Sequence, residues 1–323
     1  MLVRDLIASY RTDPASSYPK LRYRSRQHND GLCRHIERDL GGKEIGEIRT
    51  RDLILTHQQW MLRGIAMSHG LVGMLRTLCN YGNVVLEDDD CVRLSSRMHA
   101  MRFQMAKPRT VRITAEQVIA IRKEARRRGL YSIAQAQAFQ FDCMFRQRDV
   151  IGEWIPESEP GDSDIHHIGF KWLRGIRWEE IDADMVLRHT TSKRQKDVEI
   201  NLNLAGLVME ELRFDYLILD RKRLPMSGPV IIDEQTNLPY SGHEFRRLWR
   251  IVARTVGVPD NVFNMDSRSG AITEAFMAGA RPESVRKSAT HSDLSTTSRY
   301  SRGDADEIAD VMRTRNEYRQ GAG

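Results

Sequence analysis

Near its C-terminal end the chain reads Asn264-Met265-Asp266-Ser267-Arg268 and later Thr290-His291-Ser292-Asp293-Leu294-Ser295-Thr296-Thr297-Ser298-Arg299-Tyr300. A tyrosine hydroxyl has an unperturbed pKa of about 10, so it is a poor nucleophile unless neighbouring groups stabilise its anion or take its proton. Phosphoryl transfer depends mainly on positioning and on charge stabilisation at the non-bridging oxygens, which arginine and histidine side chains provide. The arginine, the histidine and the tyrosine therefore indicate attack by a phenol oxygen on a phosphate held by cations.

Length and composition exclude several classes of protein. A chain of 323 residues suggests two domains, each with its own core. Its apolar runs, such as Tyr216-Leu217-Ile218-Leu219, are too short to cross a bilayer, and Met1-Leu2-Val3-Arg4-Asp5 does not begin a secretory signal. The four cysteines form no Cys-x-x-Cys pair, which favours reduced thiols over disulfides or a zinc site. We expect a soluble, cytoplasmic protein that does not contact membranes.

Basic residues are concentrated in the N-terminal third. Residues 1–110 contain 18 Lys or Arg against 12 Asp or Glu, whereas the remainder contains 32 of each, so the net charge of +6 lies in the first third. Arginines alternate with an aromatic residue in Lys20-Leu21-Arg22-Tyr23-Arg24-Ser25-Arg26. Such a segment suits phosphate contacts along a nucleic acid, and a solvated basic surface is the alternative interpretation.

The spacing of apolar residues predicts an all-helical first domain over residues 1–107. Helices are expected at 22–40, from Thr50 as N-cap to about Arg63, and at 66–85. The acidic run Glu87-Asp88-Asp89-Asp90 is interpreted as a solvated turn that ends the third helix, not as a metal site. Lys107-Pro108-Arg109 is interpreted as a linker to a second domain, residues 108–323.

The second domain is predicted to mix helices with a few strands. Capping boxes at Thr114 and Ser241 begin two of its helices, and other helices are expected at 133–145, 204–213, 267–278 and 282–289. Strands are expected at 185–189, 197–202 and 230–233. Arg268 falls in the first turn of its helix, where backbone N–H groups favour an anion. Residues 155–172, which include His166-His167, are polar and rich in turn formers, so we predict an inserted surface loop and no metal site.

The C-terminal motif resembles a known family. His291, Ser295-Thr296-Thr297 and Tyr300, preceded by Asp266-Ser267-Arg268, resemble the catalytic C-terminus of tyrosine recombinases, the phage-integrase family. The resemblance implies a mainly α fold with a small β-sheet: an N-terminal helical core-binding (SAM-like) domain that clamps DNA, followed by an α+β catalytic domain. Gly175-Ile176-Arg177-Trp178-Glu179-Glu180-Ile181-Asp182 resembles the family's Leu-Arg-Trp-x-Asp-Ile-Asp segment, which leads into a strand. The family reaches this segment directly from its first arginine, which supports an insertion before it.

The resemblance also implies a set of catalytic residues. Aligning Asp149-Val150-Ile151 with the family's acidic-aliphatic run puts the first catalytic arginine at Arg146, with Arg148 as the alternative, and places Met144-Phe145 where the family has Gly-Leu. The family's hairpin lysine matches Lys193, with Lys196 as the alternative. The implied set is therefore Arg146, Lys193, Arg268, His291 and Tyr300.

These residues imply a site-specific DNA recombinase that integrates or excises a mobile element or phage. Tyr300 would form a 3′-phosphotyrosine, and the lysine would protonate the leaving 5′ oxygen, because an alkoxide is a poor leaving group. The exchange of one ester for another requires no ATP, metal or other cofactor. The expected partner is double-stranded DNA, bound by a homotetramer or a mixed recombinase assembly on paired sites, with accessory DNA-bending or directionality factors. The tail at 304–319 is predicted to form a helix that packs on a neighbouring subunit or on its own domain.

One departure from the family's motif leaves two alternative functions open. The family usually has His-x-x-Arg where this chain has Met265 before Arg268, and a thioether cannot donate a hydrogen bond to phosphate. Asn264 or His243 could supply the missing contact. By analogy with oxyanion-hole deletions, losing one donor could lower the rate on the order of a hundredfold. A DNA-binding regulator without catalytic activity is one alternative, and a type IB topoisomerase-like nicking-closing enzyme is the other.

Overall fold

A computed structural model describes residues 1–106, 109–216, 224–293, Thr297 and five residues of the tail. For residues 215 and 216 it describes the backbone only. The tail residues are Met312, Arg313, Arg315, Arg319 and Gln320. The chain forms two compact units, residues 1–109 and 110–323. No helix in the described ranges is both long enough and apolar enough to span a membrane.

The regular elements in the described part of the N-terminal unit are helices. Its helices are α1 (Val3–Thr12), α2 (Tyr23–Leu40), α3 (Thr50–Met61), α4 (Ile65–Val84) and α5 (Asp89–Ala100). Their apolar faces share one core, in which Leu6, Ile36, Leu75 and Leu94 are almost fully buried. The three helices predicted from apolar spacing are confirmed, except that Thr50 is the first helical residue and Arg49 is the N-cap.

The acidic run after α4 differs from its interpretation as a simple turn. Asp88 is the N-cap of α5, because its carboxylate accepts a hydrogen bond from the backbone N–H of Cys91 across 2.8 Å. Asp89 and Asp90 follow in the first turn, where negative charge is favourable to the helix dipole. The run therefore begins a helix that the apolar spacing did not reveal.

The second unit is built around one buried helix. Its helices are α6 (Ala115–Arg127), α7 (Tyr131–Asp142), α8 (Gln147–Ile151), α9 (Gly206–Tyr216), α10 (Gly242–Thr255), α11 (Asp266–Met277) and α12 (Pro282–Ser288). Every residue of α7 from Ser132 to Phe141 is buried, including three glutamines. Two of these glutamines are paired in the core: Gln137 with Trp249 of α10 and Ser267 of α11, and Gln140 with Asn264. The buried amides thus fix the positions of α10 and α11 against α7.

The segment after α8 forms a small sheet instead of the predicted loop. Its strands are β1 (Glu153–Pro156), β2 (His166–His167) and β3 (Phe170–Leu173), antiparallel in the order β1-β3-β2. Two tryptophans attach the sheet to the unit: the indole of Trp172 donates to the carbonyl of Ile151, and that of Trp154 to the carbonyl of Pro239. The prediction of a loop is correct for residues 157–165, which form neither helix nor strand. It was wrong for the residues on either side, because these tertiary contacts stabilise strands that are too short to show alternation.

A separate hairpin matches its prediction, while another predicted strand is absent. The hairpin consists of β4 (Val186–Thr190) and β5 (Asp197–Asn201), with His189 opposite Val198. Residues 230–233 are not a strand, although Val230 and Ile231 are buried. Their backbone N–H groups make separate hydrogen bonds, from Val230 to the carbonyl of Ile176, from Ile232 to the hydroxyl of Ser132 and from Asp233 to the carbonyl of Leu238. These bonds form no ladder, so this apolar run is a core segment without a strand partner among the described residues. The helix predicted at 304–319 lies outside the described residues except for a few positions.

Candidate active site

Arg268 links the ends of two helices. It is the third residue of α11 and is buried. Its Nη1 donates to the carbonyl of Met144 across 2.7 Å, and its Nη2 donates to the carbonyl of Ala289. Met144 lies just past the end of α7, and Ala289 is the C-cap of α12. One guanidinium therefore holds together the segments that continue to Arg146 and to His291.

Both segments turn through left-handed backbone at residues that are not glycine. Met144 has φ 52° and Thr290 has φ 51°. At Thr290 the turn is a Schellman motif, since its N–H bonds to the carbonyl of Lys287 and the N–H of His291 bonds to that of Arg286. Left-handed backbone at a β-branched residue is uncommon and strained, because Cβ approaches the following carbonyl. The turn nevertheless places His291 beside the guanidinium of Arg268.

Arg146 is the N-cap of the short helix α8. Its backbone N–H donates to Asp149 Oδ2 across 3.1 Å, and its Nη1 lies 3.9 Å from the same oxygen. Arg148, the alternative in the sequence, is 45% exposed and lies 3.5 Å from the carboxylate of Glu153. Of the two arginines, Arg146 is the one whose charge is among the main influences on His291.

His291 is a buried imidazole surrounded by cations. It is 8% exposed, and its Nδ1 lies 2.9 Å from Oγ1 of Thr297. Burial, followed by the charges of Arg268 and Arg146 and then of Arg194 and Lys196, lowers the pKa of His291 to about 4. The ring is therefore neutral at pH 7, and its neighbours create a positive potential that suits a phosphate group.

The turn of the β4–β5 hairpin is tied to the same helix as Arg146. Asp149 Oδ1 accepts hydrogen bonds from the backbone N–H of Ser192 across 2.7 Å and from its hydroxyl across 2.5 Å. Lys193 follows directly, and both Lys193 and Lys196 are exposed. The charge of Lys196 contributes to the lowered pKa of His291, so Lys196 remains an alternative to Lys193.

The two residues considered as substitutes for the missing histidine are placed differently. Met265, the N-cap of α11, is 58% exposed. Asn264 is buried, and its amide exchanges two hydrogen bonds with that of Gln140, at 2.9 and 2.8 Å. Asn264 was therefore a wrong candidate, because its polar atoms are used in the core. His243 lies exposed in the first turn of α10.

Part of the predicted site lies outside the described residues. Tyr300, Ser295 and Thr296 belong to this part. Thr297, which is described, is fully buried and contacts His291. The structure thus brings together Arg146, Arg268 and His291.

The sequence analysis missed two contacts close to the candidate site. Asp149 served there only to align Arg146, and its bond to Ser192 could not be read from residues so far apart in the chain. His189, buried on β4 and hydrogen-bonded to Glu180, was not singled out either. The one signal available in the sequence was the two-residue period of the predicted strand, which puts His189 on the same face as Leu187.

Comparisons with known proteins bear on this arrangement. No protein-family model matches the chain, and no curated protein matches it. A structure of a lambda integrase dimer bound to a COC′ core site matches with a TM-score of 0.71 and 15% identity, covering 94% of this chain and 97% of that chain. The chain has the tyrosine recombinase fold.

Further structures with this fold agree with that result. A lambda integrase tetramer bound to a Holliday junction matches with a TM-score of 0.69 and 14% identity over 94% of this chain and 78% of that one. The Tn1549 transposon integrase, in complex with transposon right end DNA, matches with a TM-score of 0.67 and 14% identity over 97% and 99%. The predicted fold class, mainly α with small antiparallel sheets in a tyrosine recombinase architecture, is confirmed.

Proposed function

We propose that this protein is a site-specific DNA recombinase that cuts and rejoins DNA through a 3′-phosphotyrosine intermediate. The proposal rests on the grouping of Arg146, Arg268 and His291. The charges of the two arginines, together with burial, lower the pKa of His291 to about 4. Cations so close together repel one another, and a bound phosphate would offset that repulsion. The fold that the chain shares with integrases bound to DNA supports the same function.

The proposed reaction assigns a role to each residue. The phenol of Tyr300 loses its proton to solvent as its oxygen attacks the scissile phosphorus, and the bond from phosphorus to the 5′ oxygen breaks. Arg146 and Arg268 stabilise the added negative charge on the non-bridging oxygens, and His291 donates a hydrogen bond to one of them. Lys193, or Lys196 as the alternative, gives a proton to the leaving oxygen. Attack by a 5′ hydroxyl on the phosphotyrosine reverses these steps on a new strand, so no cofactor is needed.

The N-terminal unit would provide the second DNA contact. Its α2 begins in the basic stretch Lys20–Arg26, and Arg24 and Arg34 on that helix are exposed. In the proposal, residues 1–107 form the core-binding domain and residues 108–323 the catalytic domain. Four protomers on paired sites, or a mixed recombinase assembly, would exchange strands in the cytoplasm, with DNA-bending or directionality factors selecting integration or excision.

A DNA-binding regulator without catalysis is the second candidate. It is favoured by Met265, which stands exposed at the start of α11 where the family's motif has a donor. A regulator of this kind would bind its sites and never become covalently attached to them.

Covalent capture separates the two candidates. The protein is expressed in its native host and denatured with SDS, and the DNA linked to it is recovered and sequenced, beside a Tyr300→Phe control. DNA linked to the wild type and absent from the control would support the recombinase and reveal its target site. Tight DNA binding without linkage from either protein would overturn the proposal and favour the regulator.

A further inference from the structure

His189 is the last but one residue of β4, close to the hairpin turn that carries Lys193 and Lys196, and its side chain points into the protein interior. It is almost fully buried, and its ring centroid lies 5.4 Å from that of Phe145. Phe145 in turn directly precedes Arg146. The imidazole therefore lies between the turn and the segment that positions the first arginine of the site.

One nitrogen of His189 is held by a carboxylate. Nδ1 lies 3.1 Å from each carboxylate oxygen of Glu180, and Glu180 also accepts a hydrogen bond from the backbone N–H of Arg177 across 2.9 Å. Because an ionised carboxylate can only accept, Nδ1 carries the proton of this bond. Glu180 thus joins strand β4 to the short 3-10 turn Trp178–Glu180.

The other nitrogen, Nε2, is buried, and no described residue bonds to it. A phenylalanine at this position could stack on Phe145 without burying a polar atom that lacks a partner. Packing alone therefore does not account for an imidazole here, and the bond from Nδ1 to Glu180 is what distinguishes it.

Packing around the turn is also incomplete. A cavity of about 620 Å³ is lined by residues 189–192 and Gln195 of the hairpin and, from outside it, by residues that include Trp172, Leu173 and Glu180. Side chains that face a cavity have fewer neighbours to hold them. Polar contacts then contribute more to fixing the turn. Thr191 bonds to Lys196 within it, and the bonds of Asp149 to Ser192 and of Glu180 to His189 connect it to elements outside the hairpin.

We propose that His189 is a positioning residue for the lysine of the hairpin turn. Its Nδ1–H bond to Glu180 fixes the end of β4, and through it the turn that presents the lysine to the leaving 5′ oxygen. The effect of His189 on catalysis rests on the proposed recombinase function. The anchoring of the turn does not, because it is a property of the fold and can be tested without any reaction.

Hydrogen–deuterium exchange of the intact protein tests the anchoring. His189→Phe keeps the ring on Phe145 and removes the donor, so amide exchange in residues 190–197 should become about tenfold faster, because local opening costs less free energy. His189→Asn restores a donor near the position of Nδ1 and should return exchange to within about twofold of the wild type. Exchange in α7 controls for global destabilisation and should stay unchanged. Equal exchange of the turn in the wild type and His189→Phe would overturn the proposal.

Leaving-group chemistry tests the catalytic consequence. Duplexes of the captured target site are made with either the natural bridging oxygen or a 5′-bridging sulfur at the scissile phosphate. A thiolate leaves without being protonated, so the sulfur substrate does not need the lysine. We expect His189→Phe to slow covalent linkage to the oxygen substrate by about 10–100-fold and to the sulfur substrate by less than about threefold.

The results of these two experiments distinguish a failure of the role proposed for His189 from a failure of the proposed recombinase function. Equal slowing on both substrates would overturn the positioning role, because it would show that His189 supports the site as a whole. Failure of the wild-type protein to link to captured DNA, or to any DNA, would overturn the proposed function, and the exchange experiment would still decide whether His189 anchors the turn.

Glu180→Gln gives a second variant if His189→Phe folds poorly. It keeps an acceptor oxygen and loses the charge, so it should show the same dependence on the substrate's leaving atom in weaker form.

Discussion

Arg268 donates a hydrogen bond to the backbone carbonyl of Met144 across 2.7 Å, and so joins α11 to the segment that carries Arg146. The same guanidinium donates to the carbonyl of Ala289, two residues before His291. A lysine could not make both bonds in this planar geometry, because its donors radiate from one nitrogen. Arg268 is therefore structural as well as a candidate for phosphate binding, and variants at this position will combine both effects.

Thr290 gives a test of strain beside the site. At an ordinary helical position alanine is more stable than glycine, whereas at φ 51° the order should reverse, because only glycine has no Cβ to clash. We expect Thr290→Gly to exceed Thr290→Ala in free energy of unfolding by about 1 kcal/mol. Urea denaturation of both variants measures the difference.

The matched control for Thr290 lies on α11. Thr273 is helical, and its hydroxyl bonds to the carbonyl of Ser269. There Thr273→Ala should be more stable than Thr273→Gly by about 1 kcal/mol. The same order of stability at both positions would contradict a strained turn at Thr290.

Ser192 gives a test of the contact between the hairpin and α8. Ser192→Ala removes the hydroxyl that donates to the buried carboxylate of Asp149 across 2.5 Å. We expect it to lower the free energy of unfolding by about 1–3 kcal/mol, since a hydrogen bond to a charged acceptor is lost. Because Lys193 follows directly, covalent linkage to DNA should slow by about tenfold.

Ser163→Ala is the control for Ser192. Its hydroxyl, between β1 and β2, donates to the carbonyl of Trp172 across 2.6 Å and accepts from the backbone N–H of Ile165 across 3.0 Å. Losing these neutral bonds should cost about 1–2 kcal/mol and leave the rate of linkage unchanged. A rate loss of similar size in both variants would mean that the effect of Ser192 is on global stability.

The sequence predicted the parts of the site that depend on local signals. Pro282 and the residues after it predicted α12, and Gly279, at φ 83°, predicted the end of α11. These signals placed Arg268 at the start of one helix and His291 just past the end of the next. Helix ends are encoded by a few neighbouring residues, so they can be recognised without knowledge of the fold.

The parts that could not be predicted depend on contacts distant in the chain. Nothing in Met144 or Thr290 indicates a left-handed turn, because glycine is the residue that marks one. The guanidinium of Arg268, from another part of the chain, binds the carbonyl of Met144 and that of Ala289 beside Thr290, and these contacts add to the backbone bonds that stabilise both turns. Likewise, the inserted sheet depends on Trp154 and Trp172 reaching carbonyls outside their own strands.

His291 makes the stability of the fold depend on pH. Its pKa is about 4 in the folded chain and about 6.5 when unfolded, so between these values the unfolded chain binds a proton that the folded chain does not. Stability should therefore fall as pH drops through this window and be unaffected by this residue above it. The contribution of His291 should be a loss of about 2 kcal/mol at pH 5 relative to pH 7.

Urea denaturation at pH 7 and pH 5, with His291→Gln as the comparison, measures the contribution of His291 to the free energy of unfolding. Glutamine does not titrate, so the variant should lose less stability than the wild type between pH 7 and pH 5, while all other titrating groups are shared. Parallel losses in the two proteins would show that His291 is not held neutral by burial and its cationic neighbours.

Met265 gives a gain-of-function test. Because its side chain is 58% exposed at the start of α11, histidine can replace it without disturbing the core. Met265→His should speed covalent linkage to the captured target DNA by up to about a hundredfold, since it adds a donor to the phosphate in the transition state. Met277→His is the matched control, a methionine that is 69% exposed at the other end of the same helix, and should leave the rate at the wild-type value. A rate that does not rise with Met265→His would mean that another group already supplies this contact, with exposed His243 of α10 the first to substitute.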